Sequence, residues 1–205
     1  VKLFSIFIST FWEVKSLILS LHNMSIELIR LNRKSPDYKS VKRLYKSAFP
    51  ADEKAPFGLL MRKSKKDNVD FWAAYSGDKW IGLAYVLSYR DISYLFYLAI
   101  DDKARGNGFG SGVLGALKEK YKGRNLFLAI EEIDEKAENY AERINRKKFY
   151  EKNGFHDLNC KLREASVVYD LLGLGDKIKP KDYADMFDEY LGKMFRRFVK
   201  MEILD

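Results

Sequence analysis

Glycines at 106, 108, 110 and 112 alternate through RGNGFGSG, immediately ahead of VLGALKEKY, whose apolar residues recur at helical spacing. Inside a helix each glycine costs about 1 kcal/mol relative to alanine, so four in alternation at a helix start need a reason. The first N–H groups of a helix have no intrahelical acceptors and carry the positive end of its dipole. With no Cβ atoms in the way they converge on an anion, and a pyrophosphate suits such a cradle. Arg105 and Lys103 add positive charge. By letter alone, Gly110-Ser111-Gly112-Val113-Leu114-Gly115 also fits the dinucleotide fingerprint, but that motif must open directly after a strand in a repeated parallel series. Here DDKAR separates the glycines from the preceding apolar run, and no Gly-Lys-Ser/Thr follows to make a nucleotide-triphosphate loop.

The elements that must position this loop follow from periodicity. IELIRLN (26–32) alternates as a half-buried strand does. Ser35-Pro36-Asp37 starts a helix that Pro50 stops, and 56–65 forms a second short one. VDFWAAYS (69–76) and KWIGLAYVLSY (79–89) are strands joined at Gly77-Asp78, and SYLFYLAI (93–100) follows through a short turn, giving an antiparallel meander. Gly82 inside the second of these signals a bulge or a close backbone approach. The glycine loop and a helix over 109–121 then cross to a strand at 125–131, a βαβ unit that makes 93–100 and 125–131 parallel. A charged helix over 135–152 ends at Asn153-Gly154, and strands at 155–163 and 166–172 complete one mixed sheet. Pro180 opens a further helix with Tyr183, Phe187, Tyr190, Leu191, Met194, Phe195 and Phe198 on one face; it docks on the domain or serves a homodimer or partner contact.

Three segments result: an N-terminal extension (1–23), a domain (24–173) and a C-terminal helical extension (174–205). The extension holds LFSIFISTFW, an uncharged run of about ten residues where a membrane-spanning helix needs about 20. It lacks a convincing signal-peptide pattern and is read as an over-extended start or an artefact, with Met24 as the natural beginning. No stable membrane insertion and a cytoplasmic location are expected.

Composition narrows the chemistry. With 205 residues the chain can bury a core without staples, and 47% apolar against 32% charged residues is a globular balance. One cysteine, Cys160, and two histidines, His22 and His156, argue against a disulfide framework and a Cys- or His-based metal site; no metal is expected. Cys160 reads as a buried strand residue and His156 as a surface one. Thirty-seven Lys+Arg against 29 Asp+Glu give a formal +8, which favours an anionic partner. The basic residues are read as scattered among acidic ones rather than gathered in a Lys/Arg-aromatic tract, so nucleic acid is not the expected partner.

Two motifs together resemble the GCN5-related N-acetyltransferases (GNAT). R-x-x-G-x-G, carried by Arg105, Gly108 and Gly110, is similar to that family's acyl-coenzyme-A loop, and FYEKNGF (149–155) to its aromatic helix end followed by Asn-Gly-Phe. A strand and a helix separate the two, as in the family, and the resemblance spans about residues 24–172. It implies a mixed α/β fold whose mostly antiparallel sheet contains one parallel, splayed strand pair, flanked by helices.

It also implies a function: transfer of an acetyl group from acetyl-coenzyme A to a primary amine by direct attack in a ternary complex. The acceptor is a small molecule or a peptide. The backbone from Arg105 through Gly106, Asn107, Gly108, Phe109 and Gly110 to Ser111 would hold the pyrophosphate. Leu98, Ala99 and Ile100 would bind pantetheine through their main chain and polarise the thioester carbonyl. Tyr150 stands where the family places a proton donor for the leaving thiolate. An amine titrating near 10.4 must lose a proton before attack, which Glu131 or Glu132 at the end of the splayed strand would accept. Glu53, between the first helices, would line the acceptor site. Where the family often carries an asparagine the chain has Arg143, which either reaches a coenzyme phosphate or lies on the surface. The alternative function is a non-catalytic acyl-coenzyme-A-binding or partner-binding module with the same fold.

Overall fold

A computed structural model describes residues 25–50, 54–164, 167–192 and 201–204. The N-terminal extension (1–23) and Glu53 lie outside the described residues. Eight strands form one sheet: β1 (Ile26–Arg30), β2 (Val69–Ser76), β3 (Lys79–Tyr89), β4 (Ile92–Ile100), β5 (Asn125–Glu131), β6 (His156–Glu164), β7 (Val167–Gly173) and β8 (Met201–Leu204). Among the described residues five α-helices accompany them: α1 (Tyr38–Ala48), α2 (Phe57–Lys63), α3 (Phe109–Lys120), α4 (Tyr140–Lys152) and α5 (Pro180–Leu191). The strand order is β1-β2-β3-β4-β5-β7-β6-β8. Every neighbouring pair is antiparallel except β4–β5. The fold is thus the expected mixed α/β type.

Both faces of the sheet are covered, which explains why β2 and β3 are apolar on both sides rather than alternating. On one face Val41, Leu44 and Tyr45 of α1, Leu60 of α2 and Met186 and Phe187 of α5 pack on Phe71, Tyr85 and Phe127. On the other, Val113, Leu114 and Leu117 of α3 pack on Trp72, Ile81 and Leu128. The far end of α3 is pinned by a buried polar chain: the Tyr121 hydroxyl donates to Asp70 (2.7 Å) and accepts from the Trp72 indole (2.9 Å), while Arg30 pairs with Asp70. Its near end fits against β1 because residue 112 is glycine; a Cβ there would lie 2.8 Å from Ile26 Cγ1.

Gly82 fulfils both parts of its expectation. A Cβ at that position would meet the Ala99 carbonyl oxygen at 2.4 Å, and the β2–β3 register shifts beside it, between Ala74 and Tyr75.

The structure departs from the sequence reading in two elements. The helix expected over 135–152 begins only at Tyr140. Residues 134–139 instead form turns, because the Asp134 carboxylate accepts the Lys136 N–H (2.9 Å) and so competes with helical bonding. The helix from Pro180 ends at Leu191, where Gly192 takes φ +91°. Met194, Phe195 and Phe198 lie outside the described residues. Met201–Leu204 is a strand paired with β6, so the segment 174–205 contributes the sheet's outermost strand as well as a core helix. Cys160 is buried and His156 exposed, with its Nε2 3.1 Å from the Gly175 carbonyl.

Candidate active site

β4 and β5 are in register at only three positions, Ile92–Asn125, Ser93–Leu126 and Tyr94–Phe127. Beyond these, β4 continues to Ile100 and β5 to Glu131 without pairing to each other. The divergence starts where a register shift between Tyr85 and Val86 leaves Phe96 as an extra residue in β4. A bulge bends its strand and increases the local twist, and here it turns β4 away from its parallel neighbour. Backbone groups of Leu95–Ile100 that would bond a parallel partner therefore face the space between the strands, where another chain-like molecule can use them.

That space is a cavity of about 380 Å³. Phe96, Tyr97 and Leu98 of β4 and Leu128 and Ala129 of β5 form its sides, and Ala48, Phe49 and Pro50 at the end of α1 form part of its rim. Charged and polar groups enter from Glu131, Asn139, Glu142, Arg146, Tyr150 and Glu164.

The glycine loop lies at the end of β4. A short 3-10 turn (Asp102–Ala104) follows the strand, and Gly106 and Gly108 take φ +81° and +75°. A Cβ at either position would point into open space, so backbone conformation, not crowding, requires these glycines. Gly108 is the residue preceding α3, and no side chain caps the helix. The first intrahelical bond runs from Gly112 N–H to the Gly108 carbonyl (3.0 Å), which leaves the N–H groups of Phe109, Gly110 and Ser111 directed out of the helix. Asn107 holds the loop shut with bonds to the Ala104 and Arg105 carbonyls (3.3 and 3.0 Å). Arg105 donates to the Ile100 carbonyl (3.3 Å) and pairs with Asp102 (3.0 Å), so it braces the strand end as well as charging the loop. A Cβ on Gly110 would be 3.1 Å from Phe149 and 3.8 Å from Ile100. Strand end, helix mouth and the aromatic end of α4 thus meet at this glycine.

Asn153-Gly154-Phe155 has a local logic. Asn153 Nδ2 bonds the Phe149 carbonyl (2.7 Å), Gly154 takes φ +84°, and Phe155 returns its N–H to the Tyr150 carbonyl (3.1 Å). The chain turns back, and buried Phe155 packs edge-on against Tyr150 (5.8 Å between ring centres). Tyr150 is thereby held with its ring in the cavity wall. Its hydroxyl makes no hydrogen bond among the described residues. Burial raises its pKa to about 12, partly offset by Arg146. The phenol keeps its proton throughout the neutral range.

The expected carboxylates are placed differently from one another. Glu131 lines the cavity, but its oxygens accept from Arg143 (2.8 Å) and Arg146 (3.0 Å), and Asn139 Nδ2 approaches at 3.3 Å. Glu132 does not line the cavity and pairs with Lys161. All three nitrogens of the Arg143 guanidinium are used, on Glu131, the Asn139 side chain and the Glu132 carbonyl. Arg143 is only partly exposed, with 19% of its side chain accessible, and braces Glu131 in the wall of the cavity. Sequence reading missed Glu142 and Arg146. Their signal was present: 142, 146 and 150 recur every four residues, one face of a helix. Glu142 is exposed at the cavity and has no ion pair among the described residues.

Residues 67–157 match the family model described as "Acetyltransferase (GNAT) domain", covering β2 through the start of β6 and thus the loop, the splay and α4. Over that segment the chain is similar to the GNAT acetyltransferases. The GNAT fold extends over most of the chain. A Bacteroides thetaiotaomicron protein described as an acetyltransferase from the GNAT family superposes with TM-score 0.62 at 21% identity, covering 82% of this chain and 98% of that one. An aminoglycoside 6'-N-acetyltransferase solved with coenzyme A gives TM-score 0.55 at 15% identity, over 75% and 99%. The ribosomal-protein-S18-alanine N-acetyltransferase from Escherichia coli gives 0.55 at 16%, over 77% and 97%. At these identities the likeness concerns the fold. No curated protein matches the chain. Among the described residues, no helix is long and apolar enough to cross a membrane, and no group of three or more His, Cys, Asp or Glu residues could hold a metal ion.

Proposed function

We propose that the protein is an N-acetyltransferase that moves the acetyl group of acetyl-coenzyme A to a primary amine in a ternary complex. The observation that carries this reading is the unpartnered Tyr150 hydroxyl in the cavity between the splayed β4 and β5. The residues present fit the cosubstrate. Three outward N–H groups at the start of α3 match a pyrophosphate, and the free edge of β4 matches the amides of a pantetheine arm. When bound, acetyl-coenzyme A supplies an acetyl thioester.

The chain's own groups then have distinct tasks. Main-chain groups of Leu98, Ala99 and Ile100 bind and orient along the β4 edge. Tyr150, protonated until about pH 12, offers its O–H to a developing thiolate. Glu131, engaged by two arginines, holds Arg143 and Arg146 in the wall. Glu142, one turn before Arg146 and without an ion-pair partner among the described residues, takes the amine proton, directly or through a water.

Thiol release from acetyl-coenzyme A with a panel of amines tests the reading. Glu142→Gln should lower turnover about 10²-fold, the lower range for a general base. Binding of coenzyme A without thiol release from any amine would favour the non-catalytic module instead.

A further inference from the structure

The formal charge of the chain is concentrated in one stretch. Residues 30–66 hold twelve lysines and arginines against three acids, a formal +9, while the other 168 residues together carry a formal −1. The excess therefore belongs to the α1–α2 region, not to the molecule at large.

On α1 the charge is ordered. Lys39, Lys42, Arg43 and Lys46 follow the i, i+3, i+4, i+7 spacing of one helix face, opposite buried Val41, Leu44 and Tyr45. All four are exposed, and none makes an ion pair among the described residues. They border a surface groove of about 470 Å³. The next turn of the same helix ends in Ala48, Phe49 and Pro50, which form part of the cavity rim. A basic track of about 10 Å, seven residues at a helical rise, thus leads to the cavity from outside. Inside, the sign reverses: the charged residues lining the cavity are Glu131, Glu142 and Glu164 against Arg146.

We propose that the acceptor is an amine carried on an acidic polypeptide segment, with glutamate or aspartate residues lying along the α1 track while the ammonium group enters the carboxylate-lined cavity. The inference rests on the transferase reading above. Two opposite fields side by side select a ligand carrying both charges. Nucleic acids supply the anion but no aliphatic amine, and the outer face of α1 offers no aromatic side chain on which a base could stack, since Tyr38 and Tyr45 pack into the core. The length of the track matches about three extended residues.

The test uses two blocked peptides, each with one lysine, flanked by five glutamates in one and five glutamines in the other. Thiol release reads transfer, and fluorescence anisotropy of the labelled peptides reads binding. The wild-type protein should favour the glutamate peptide in kcat/KM, with the advantage shrinking as salt rises. Lys42→Glu combined with Arg43→Glu should cut the glutamate-to-glutamine ratio by about tenfold, as rim charges do through steering and contact. Lys42→Gln with Arg43→Gln should give an intermediate ratio, and the salt titration needs no variant. Equal use of both peptides by the wild-type protein, or an unchanged ratio in the reversed variant, overturns the inference and leaves the transferase reading intact. Tighter binding of a single-stranded RNA than of the glutamate peptide overturns the assignment to polypeptide. Coenzyme A binding without thiol release from either peptide overturns the acceptor assignment; only its absence with every amine of the panel overturns the transferase reading as well.

Discussion

Tyr150 and Glu142 lie two turns apart on one face of α4, and their chemistry separates cleanly by experiment. Tyr150→Phe removes only a hydroxyl that has no protein partner among the described residues, so packing against Phe149 and Phe155 is kept. Turnover should fall about tenfold or more while acetyl-coenzyme A affinity stays within about twofold, the pattern of a group that acts in the transition state. Equal loss of both would make the tyrosine structural. Because the phenol titrates near 12, the wild-type and Phe variant should show the same alkaline limb up to about pH 11. Tyr150 was legible from its motif. Glu142 was legible only as a residue on the same helix face as Tyr150, because a charged helix with few apolar residues gives no apolar stripe from which to tell that this face is the inner one. Only the fold reveals that 142, 146 and 150 turn toward the splay.

At the scale of elements, the two ends of the glycine loop should respond differently to the same substitution. Gly108→Val forces a branched residue into φ +75°, costing about 1–2 kcal/mol, and places its side chain in the open space before the helix mouth. A melting-temperature loss of about 2–8 °C with a large loss of coenzyme A affinity is expected. Gly112→Val drives its side chain into Ile26, so the dominant effect should be on stability, about 1–3 kcal/mol of overpacking between α3 and β1, with a smaller change in affinity. Calorimetry of folding and of coenzyme A binding on both variants checks the contrast. Unchanged affinity in the Gly108 variant would refute the anion cradle. Strands β1 to β7 and the loop-bearing helix were legible almost residue by residue, because periodicity and glycine turns act locally, whereas β8 was not foreseen. The start of α4 and the end of α5 were not. Helix-forming letters at 135–139 lose to the Asp134 turn, and the apolar stripe after Pro180 reads straight through Gly192, whose backbone breaks it. The splay itself was legible only through family resemblance, since the bulge at Phe96 has no local sequence signature.

At the scale of the molecule, aromatic packing sets a limit on alkaline tolerance. Burial holds the hydroxyls of Tyr75, Tyr150 and Tyr190 protonated to about 12, and those of Tyr45, Tyr85 and Tyr121 higher still. In the unfolded chain each would titrate near 10, so the unfolded state binds fewer protons above that pH. The stabilisation is complete below pH 10 and is lost as pH rises through 12; thermal melts at pH 9, 10.5 and 12 should show a steepening fall in melting temperature. A flat profile would mean that these hydroxyls are wetter than their packing implies. The strand order has a separate consequence. β1 and β8, the first and last strands along the chain, are also the two margins of the sheet, about 33 Å apart at seven inter-strand spacings. A mechanical load applied through the ends of the chain therefore pulls crosswise and opens the sheet like a zipper, one ladder bond after another. The domain should yield to low force however well it resists heat.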